Sequence, residues 1–224
     1  MIEFTDLLPF IISAIASLSA ILVSLAVHEW AHAFAAYKQG DPTAKTLGRM
    51  TLAPFAHIDW WGFICLLILG FGWAKPVPVD SRNFKNGKKS GFVVSIAGIL
   101  ANLITGTVFL LISCALDNFI PNYVTDWGLY GTSLKMFLTN VVNINYVLAF
   151  FNLLPIYPLD GFRMIEAFAN PNSKFIDFMR RYSRIILIVV IVFTIILDVY
   201  FSFTAYALKD LLQKAFNSLF GLMV

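Results

Sequence analysis

Two histidines and a glutamate lie within five consecutive residues, the run H-E-W-A-H at positions 28–32. In a helix, His28 and His32 stand one turn apart on the same face, so both imidazoles can bind one zinc ion. Glu29 then lies about 100° around the helix axis, where its carboxylate could hold a zinc-bound water. The spacing predicts zinc-dependent hydrolysis; the alternative is two helix histidines with unrelated hydrogen bonds.

A zinc site built from two histidines needs a third protein ligand. The best candidate is Asp160, near the end of the run N-L-L-P-I-Y-P-L-D-G from Asn152 to Gly161. Pro155 and Pro158 interrupt a helix there, and Gly161 permits a tight turn. A carboxylate at membrane depth is costly unless it is paired or binds a metal. Asp160 is therefore expected to be a ligand, unless it is a helix-end residue in water.

His57 and Asp59, in the run A-H-I-D, compete with Asp160 as the third ligand. They follow a region predicted to be a strand, so we expect them to be structural or to hydrogen-bond the residues that bind the metal. On the residues alone, this alternative stays open.

The composition is that of an integral membrane protein. Of the 224 residues 59% are hydrophobic and 13% charged, and the mean hydropathy is +0.78, whereas a soluble domain is about one-quarter charged. Four apolar segments reach the ~20 residues that span hydrocarbon, 7–27, 91–116, 135–155 and 185–207. A shorter one, 60–74, favours a re-entrant or interfacial segment. The fold class is all-α and polytopic, with about four transmembrane helices.

Two segments beside the first span predict a small membrane-associated β-sheet. Residues 43–52 alternate like a strand with a turn near Gly48, and residues 75–80, K-P-V-P-V-D, are extended because two prolines block a helix. The edge of such a strand could hold a substrate chain in extended form. An ordinary interfacial loop is the alternative.

The basic residues predict the orientation in the membrane. Lys and Arg are concentrated in 38–49, 75–89 and 163–184, which one topology places on the same side, whereas 1–8 and 117–133 contain none. By the positive-inside rule this side is cytoplasmic, and the metal motif lies toward it. Because the net charge of +3 is explained by topology and membrane-surface contacts, no nucleic-acid partner is expected.

The tail from Ala205 places apolar residues at helical spacing against charged residues such as Lys209. This pattern predicts an amphipathic interfacial helix that could lie on the lipid bilayer or cover another subunit, which leaves a homo-oligomer open. We predict a single domain over 1–224, with a core of about 7–165 and the last transmembrane helix and the amphipathic helix within 166–224.

These motifs resemble those of the site-2 protease family of intramembrane zinc metalloproteases. The run H-E-W-A-H matches the family's H-E-x-x-H, and N-L-L-P-I-Y-P-L-D-G matches its second signature. The run A-G-I-L-A-N at 97–102 is similar to the family's third motif, A-G-P-x-x-N, with Ile99 in place of the proline. Residues 47–59 and 72–84 are similar to the compact prokaryotic branch without PDZ or CBS domains.

The resemblance implies that His28, His32 and Asp160 bind one Zn²⁺ per chain and that Glu29 is the catalytic base that activates a zinc-bound water. It implies an intramembrane endopeptidase whose substrate is a membrane-spanning or membrane-adjacent protein or peptide. Together with the apolar segments and the basic residues, it predicts a multi-pass protein in the plasma membrane of a prokaryote, with the active site toward the cytoplasm.

Asn152 and Asn102 are polar groups on otherwise apolar helices. They could hold the substrate backbone or the developing oxyanion, and interhelical hydrogen bonding is the alternative. The main alternative function is a noncatalytic zinc-containing membrane scaffold or chaperone that binds transmembrane segments. Glu29 argues against that function, because a purely structural site needs no base beside its first ligand. A zinc carrier is a third interpretation, and it predicts a relay of ionisable residues along the spans.

Overall fold

The computed structural model describes residues 4–70, 72–170 and 173–193. The chain divides into two compact units, Met1–Ser173 and Lys174–Val224. The described helices of the first unit are α1 (Phe4–Lys38), α2 (Thr43–Thr46), α3 (Trp60–Leu69), α4 (Lys88–Phe119), α5 (Tyr123–Asp126), α6 (Leu129–Asn152) and α7 (Asp160–Phe168), with 3-10 turns at Pro54–His57 and Ser81–Asn83. In the second unit, residues 174–193 are helical.

Within the described residues, three helices are long and apolar enough to cross a membrane, Leu7–Lys38, Lys88–Phe119 and Leu129–Asn152. They are α1, α4 and α6, which pack against one another, and they coincide with three of the four predicted spans. The fourth predicted span, 185–207, lies partly outside the described residues, as does the whole tail from Ala205. Four spans are therefore not confirmed.

The seam between α1 and α6 is closed by small residues and matched polar pairs. Ala20 is fully buried, so the two backbones can approach closely. The Asn145 Nδ2 donates to the Ser24 Oγ at 2.7 Å, and the Asn140 Nδ2 donates to the Ser17 Oγ at 2.9 Å. Interhelical hydrogen bonds of this kind are typically worth about 1 kcal/mol in a membrane, so they fix how α1 sits against α6.

The predicted β-sheet is absent from the described part of the chain. Thr43–Thr46 is one helical turn rather than a strand, because the Asp41 carboxylate accepts the Thr43 N–H at 3.1 Å and Ala44 is fully buried. The described residues contain a single isolated antiparallel bridge, between Ile58 and Ala74. The segment 75–80 has no helix, as its two prolines predict.

The short apolar segment after the bridge forms α3. Asp59 begins it by accepting the Gly62 N–H at 2.9 Å, and Gly70 ends it in the left-handed conformation, with φ +71. Ten residues make a helix of about 15 Å, half of the hydrocarbon thickness. Trp60 and Trp61 at its start are strongly exposed. Helix α3 is therefore too short to cross a bilayer, as expected of a re-entrant or interfacial segment.

Candidate metal centre

His28 and His32 lie on consecutive turns of α1 and present their rings to the same point. Their Nε2 atoms are 3.1 Å apart, and the rings meet edge to face with centroids 4.6 Å apart. Both side chains are buried. The i, i+4 spacing therefore places two ring nitrogens where one cation can contact both.

Asp160 reaches the two histidines from the first residue of α7. Its Oδ2 is 3.4 Å from the His28 Nε2 and 3.1 Å from the His32 Nε2. The turn after α6 allows this approach because a Cβ on Gly161 would lie only 2.2 Å from the Leu153 carbonyl oxygen, so the start of α7 lies against the end of α6. Among the described residues, His28, His32 and Asp160 form the one group of three whose ligand atoms all lie within 4.8 Å of one another.

The protons on the histidines can be assigned from their other contacts. The His32 Nδ1 lies 2.8 Å from the Val94 carbonyl oxygen, which can only accept, so Nδ1 carries the proton. In the neutral ring, the Nε2 lone pair then points at Asp160. The Asp160 Oδ2 is buried, and no residue that the structure describes donates a hydrogen bond to it. Acceptors facing each other in a buried site repel unless a cation lies between them, and two imidazoles with one carboxylate suit zinc.

Helix α4 closes the other side of this group at Gly98. A Cβ added there would lie 2.4 Å from the His32 Nε2 and 2.6 Å from the His28 Cε1. Any side chain at this position would occupy the space that the ring nitrogens face. The glycine in the run A-G-I-L-A-N therefore keeps the centre open to a metal ion.

Glu29 lies beside the centre on α1 and is largely buried. Its Oε2 accepts the Val77 N–H at 2.7 Å. Glu29, His28, His32 and Asp160 all line one cavity of about 680 Å³. This volume is in the range of small-ligand and substrate sites, so a polypeptide segment could reach the centre and the carboxylate together.

The two candidate asparagines occupy different places. Asn152, at the end of α6, lines the cavity, and its Nδ2 donates to the Leu148 carbonyl oxygen at 3.0 Å. Asn102 is fully buried on α4, with its amide nitrogen 3.2 Å from the His28 Nδ1, and its Oδ1 has no partner among the residues that the structure describes. If the His28 Nδ1 carries a proton, as the His32 Nδ1 does, the amide turns over and its oxygen accepts that proton. Asn102 thus lies behind His28, while Asn152 faces the cavity.

His57 and Asp59 have partners elsewhere in the described chain. The His57 Nε2 lies 2.8 Å from the Thr51 carbonyl oxygen, and Asp59 caps α3. Neither side chain lines the cavity of the described structure. The sequence pattern did not identify the backbone groups of Val77 and Val94 or the space at Gly98. Backbone groups carry no residue-type signal, and only the A-G-x-x-A-N run marked Gly98.

Apolar membrane-length helices around a buried His-His-Asp group, with a glutamate beside it, define the class of membrane metalloproteins with an H-E-x-x-H centre. The names of similar proteins are consistent with this class. The chain is 42% identical over 154 residues to "Putative zinc metalloprotease YwhC" of Bacillus subtilis, covering 69% of each protein. It is 28% and 30% identical to the proteins named "Putative zinc metalloprotease Rip2" of Mycolicibacterium smegmatis and Mycobacterium tuberculosis.

The match covers 68% of this chain but only 57% of either Rip2 protein. No family model and no solved structure matches the chain. The 42% identity to YwhC, over 69% of each protein, is high enough to assign the chain to a family. The chain belongs to the site-2 protease family.

Proposed function

We propose that the protein is an intramembrane zinc endopeptidase that hydrolyses peptide bonds of membrane-spanning or membrane-adjacent substrates. The observation that carries this proposal is the convergence of His28, His32 and Asp160 within 4.8 Å, with Glu29 in the same cavity. The names of the relatives, zinc metalloproteases, support the reaction type. One Zn²⁺ per chain fits the ligand set.

A zinc ion held by the His28 and His32 Nε2 atoms and the Asp160 carboxylate would polarise the scissile carbonyl and make water nucleophilic near neutral pH. Glu29 is placed to take the proton of the attacking water and to deliver it to the leaving amine. Its burial favours this role, because few water molecules compete for the carboxylate. Together these groups supply a base and an electrophile within one cavity.

The remaining polar groups are assigned by position. We assign Asn152, which lines the cavity, to the substrate backbone or the developing oxyanion. We assign Asn102 to His28, whose ring it holds in place. Such contacts to ligand histidines are typically worth about 10- to 100-fold in metal affinity.

The cavity has charged as well as apolar walls, including Lys88, Arg163 and Glu166. Charged groups at the ends of α4 and α7 favour an opening toward water, which hydrolysis inside a bilayer requires. The basic residues at the start of α4 also favour the cytoplasmic side by the positive-inside rule. We therefore propose a plasma-membrane protein of a prokaryote with the active site toward the cytoplasm.

The test compares purified wild type with Glu29→Gln in detergent. Zinc content is measured by elemental mass spectrometry, and cleavage of a panel of transmembrane peptides by mass spectrometry. We expect both proteins to hold zinc and only wild type to cleave, with a loss in Glu29→Gln of roughly 100-fold or more. Asp117→Asn is the matched control, because it also converts a carboxylate into its amide. Asp117 is paired with Lys135, and neither residue lines the cavity of the described chain.

Each other outcome decides between functions. Equal cleavage by wild type and Glu29→Gln would contradict the role of Glu29. Zinc in both proteins with no cleavage by either, across the panel, would favour the noncatalytic scaffold that binds transmembrane segments. Absence of zinc from both would contradict the metal centre itself.

A further inference from the structure

The segment 75–80 is fixed to the rest of the first unit near both ends. The Lys75 N–H donates to the His57 carbonyl oxygen at 2.9 Å, and the Arg49 Nη2 donates to the Lys75 carbonyl oxygen at 2.8 Å. At the other end, the Asp80 N–H donates to the Asp41 Oδ2 at 2.7 Å. Its path past the metal centre is therefore determined by contacts outside the centre.

Between these anchors the segment offers very few backbone donors. Pro76 and Pro78 have no N–H, so Val77 carries the only N–H of three consecutive residues. That N–H donates to the Glu29 Oε2 at 2.7 Å, and both residues are 8% exposed. A hydrogen bond to a carboxylate in a water-poor site is stronger than one at the surface. The two prolines and the anchors thus present one donor to one carboxylate oxygen.

This contact limits the freedom of a side chain that otherwise has several rotatable bonds. An unrestrained glutamate loses up to about 2 kcal/mol of rotamer entropy when it is ordered. A catalytic base must also lie within hydrogen-bond reach of the proton that it takes. Because the Val77 N–H engages Oε2, we expect the other carboxylate oxygen to take that proton.

We propose that the Val77 N–H is a positioning group that holds the Glu29 carboxylate at the metal centre, with Pro76 and Pro78 serving to present it. The inference rests on the proposed function, since it assigns Val77 to the same site. The alternative is that Glu29 merely anchors the segment 75–80, which the Asp41 and His57 contacts already do. An anchoring role and a positioning role differ in what they do to turnover.

The first experiment tests the contact without relying on activity. Hydrogen exchange followed by mass spectrometry is measured on the segment 75–80 in wild type, Glu29→Ala and Glu29→Gln. The segment has four N–H groups, and the Val79 N–H has no partner among the described residues. In wild type the Val79 N–H should therefore exchange fast. In Glu29→Ala we expect the exchange of a second N–H, that of Val77, to become faster by roughly 10-fold or more, because its acceptor is lost. Glu29→Gln keeps an acceptor oxygen and is expected to protect that N–H.

Equal exchange of the segment in wild type and Glu29→Ala would overturn the inference, because no acceptor would then be missing. Exchange that quickens at every N–H of the segment would also contradict it, since Glu29 would then anchor the whole segment rather than pair with Val77. Only the gain of a single fast N–H supports it.

The second experiment tests positioning through turnover. Val77→Pro removes the N–H, and Val77→Ala retains it while shortening the side chain. We expect Val77→Pro to lower kcat by roughly 10- to 100-fold with KM and zinc content near those of wild type, since a misplaced catalytic group costs turnover rather than binding. Val77→Ala is expected to lose much less.

The outcomes separate this inference from the proposed function. If wild type cleaves but Val77→Pro and Val77→Ala have the same kcat, the positioning role is overturned and the protease remains. If wild type cleaves no peptide, the proposed function fails together with any role in turnover, and the exchange experiment alone decides whether Val77 pairs with Glu29. Loss of zinc from Val77→Pro would contradict the inference by showing that the segment supports the ligands instead.

Discussion

Two buried aspartates in the same unit have opposite surroundings. Asp41, after α1, is fully buried, and its Oδ1 accepts from the Thr43 N–H, the Thr43 hydroxyl and the Asn83 amide, while its Oδ2 accepts from the Asp80 N–H. Asp160, at the start of α7, is 5% exposed, and its Oδ2 faces two imidazole nitrogens and has no donor in the described part of the chain. Both oxygens of the Asp41 carboxylate therefore have hydrogen-bond donors within the protein, whereas the Asp160 Oδ2 has none among the described residues.

The difference is the one expected between a structural carboxylate and the proposed metal ligand, and it is visible without reference to any motif. A buried anion is tolerable when hydrogen bonds or a cation compensate for the lost water. Backbone and side-chain donors compensate Asp41, so it ties the end of α1 to residues 80–83 by itself. Among the described residues the Asp160 Oδ2 has no such donor and faces two imidazole nitrogens, which supports the proposal that a cation binds there. The same residue type thus stabilises the fold at Asp41 and, in the proposed function, binds the metal at Asp160.

The largest expected effect comes from converting Asp160 into its amide. Asp160→Asn removes the negative ligand, and its Nδ2 can donate to the His28 and His32 Nε2 atoms that now face the carboxylate. We expect zinc affinity to fall by roughly 100-fold or more, beyond the effect of losing a supporting contact, and cleavage to be lost. In chelator, the zinc-free variant should be more stable than zinc-free wild type by about 1–3 kcal/mol, since a donor now meets the acceptors.

Zinc content and the apparent Tm in detergent with chelator measure these two effects. Asp41→Asn, the same chemical change at the hydrogen-bonded carboxylate, is the matched control and is expected to retain zinc. A zinc-free Asp160→Asn that is less stable than zinc-free wild type would mean that the three groups already share a proton, and the comparison would fail.

A smaller change fills the space between the ligands and leaves both aspartates intact. The Cβ of Gly98→Ala would lie 2.4 Å from the His32 Nε2, closer than real Cβ atoms come to their neighbours. We expect the rings to be displaced and the zinc affinity to fall by roughly 10- to 100-fold, comparable to the loss of a supporting contact. Zinc titration of the purified variant measures this.

Gly106→Ala is the control for Gly98→Ala, on the same helix and two turns further along. Its Cβ would meet the Asn145 Cβ at 3.4 Å, which is ordinary contact. This variant should retain the zinc affinity of wild type. Equal affinity in Gly98→Ala and Gly106→Ala would show that α4 does not limit the space at the centre.

The sequence predicted the part of the centre that depends on local geometry. The i, i+4 spacing of His28 and His32 needed only a helix, and the structure has both on α1. The apolar runs predicted α1, α4 and α6, because hydrocarbon solubility requires long unbroken apolar segments. From the residues alone, Asp160, His57 and Asp59 were all candidates for the third zinc ligand. The resemblance to the site-2 protease family favoured Asp160. The structure brings Asp160 alone of these three to the histidines.

What the sequence could not predict depends on contacts between side chains and backbone groups. Residues 43–52 alternate like a strand, but the Asp41 side chain captures the Thr43 N–H and begins a helical turn. The residue pattern cannot show which backbone donors a carboxylate will reach, whether two residues away, as at Thr43, or 39 residues away, as at Asp80. The same limit applies to Val77 and Glu29, which are 48 residues apart in sequence. Side-chain to backbone pairs leave no periodicity to detect.

The smallest expected effect on the centre comes from Asp41→Asn, which is expected to retain zinc and tests whether the hydrogen bonds to Asp41 stabilise the fold. In Asp41→Asn the new Nδ2 faces the Asp80 N–H that the Oδ2 now accepts. Two donors then meet in a buried place, so we expect a loss of stability of about 1–3 kcal/mol near neutral pH. The apparent Tm of the zinc-free proteins in detergent, wild type against Asp41→Asn, measures this loss.

This loss should depend on pH in a direction that the Asp41 contacts determine. Burial alone would raise the pKa of the Asp41 carboxyl, but the hydrogen bonds from Thr43, Asn83 and Asp80 outweigh it and lower the pKa below its ordinary 3.8. A carboxyl whose pKa is lower in the folded state contributes stability above its unfolded pKa and loses it as the pH falls toward the folded value. The Tm difference should therefore be constant from pH 7 to about 5 and shrink below about 4. A difference that stays constant to pH 3 would mean that the Asp41 charge adds no stability, and that its hydrogen bonds do not compensate for its burial.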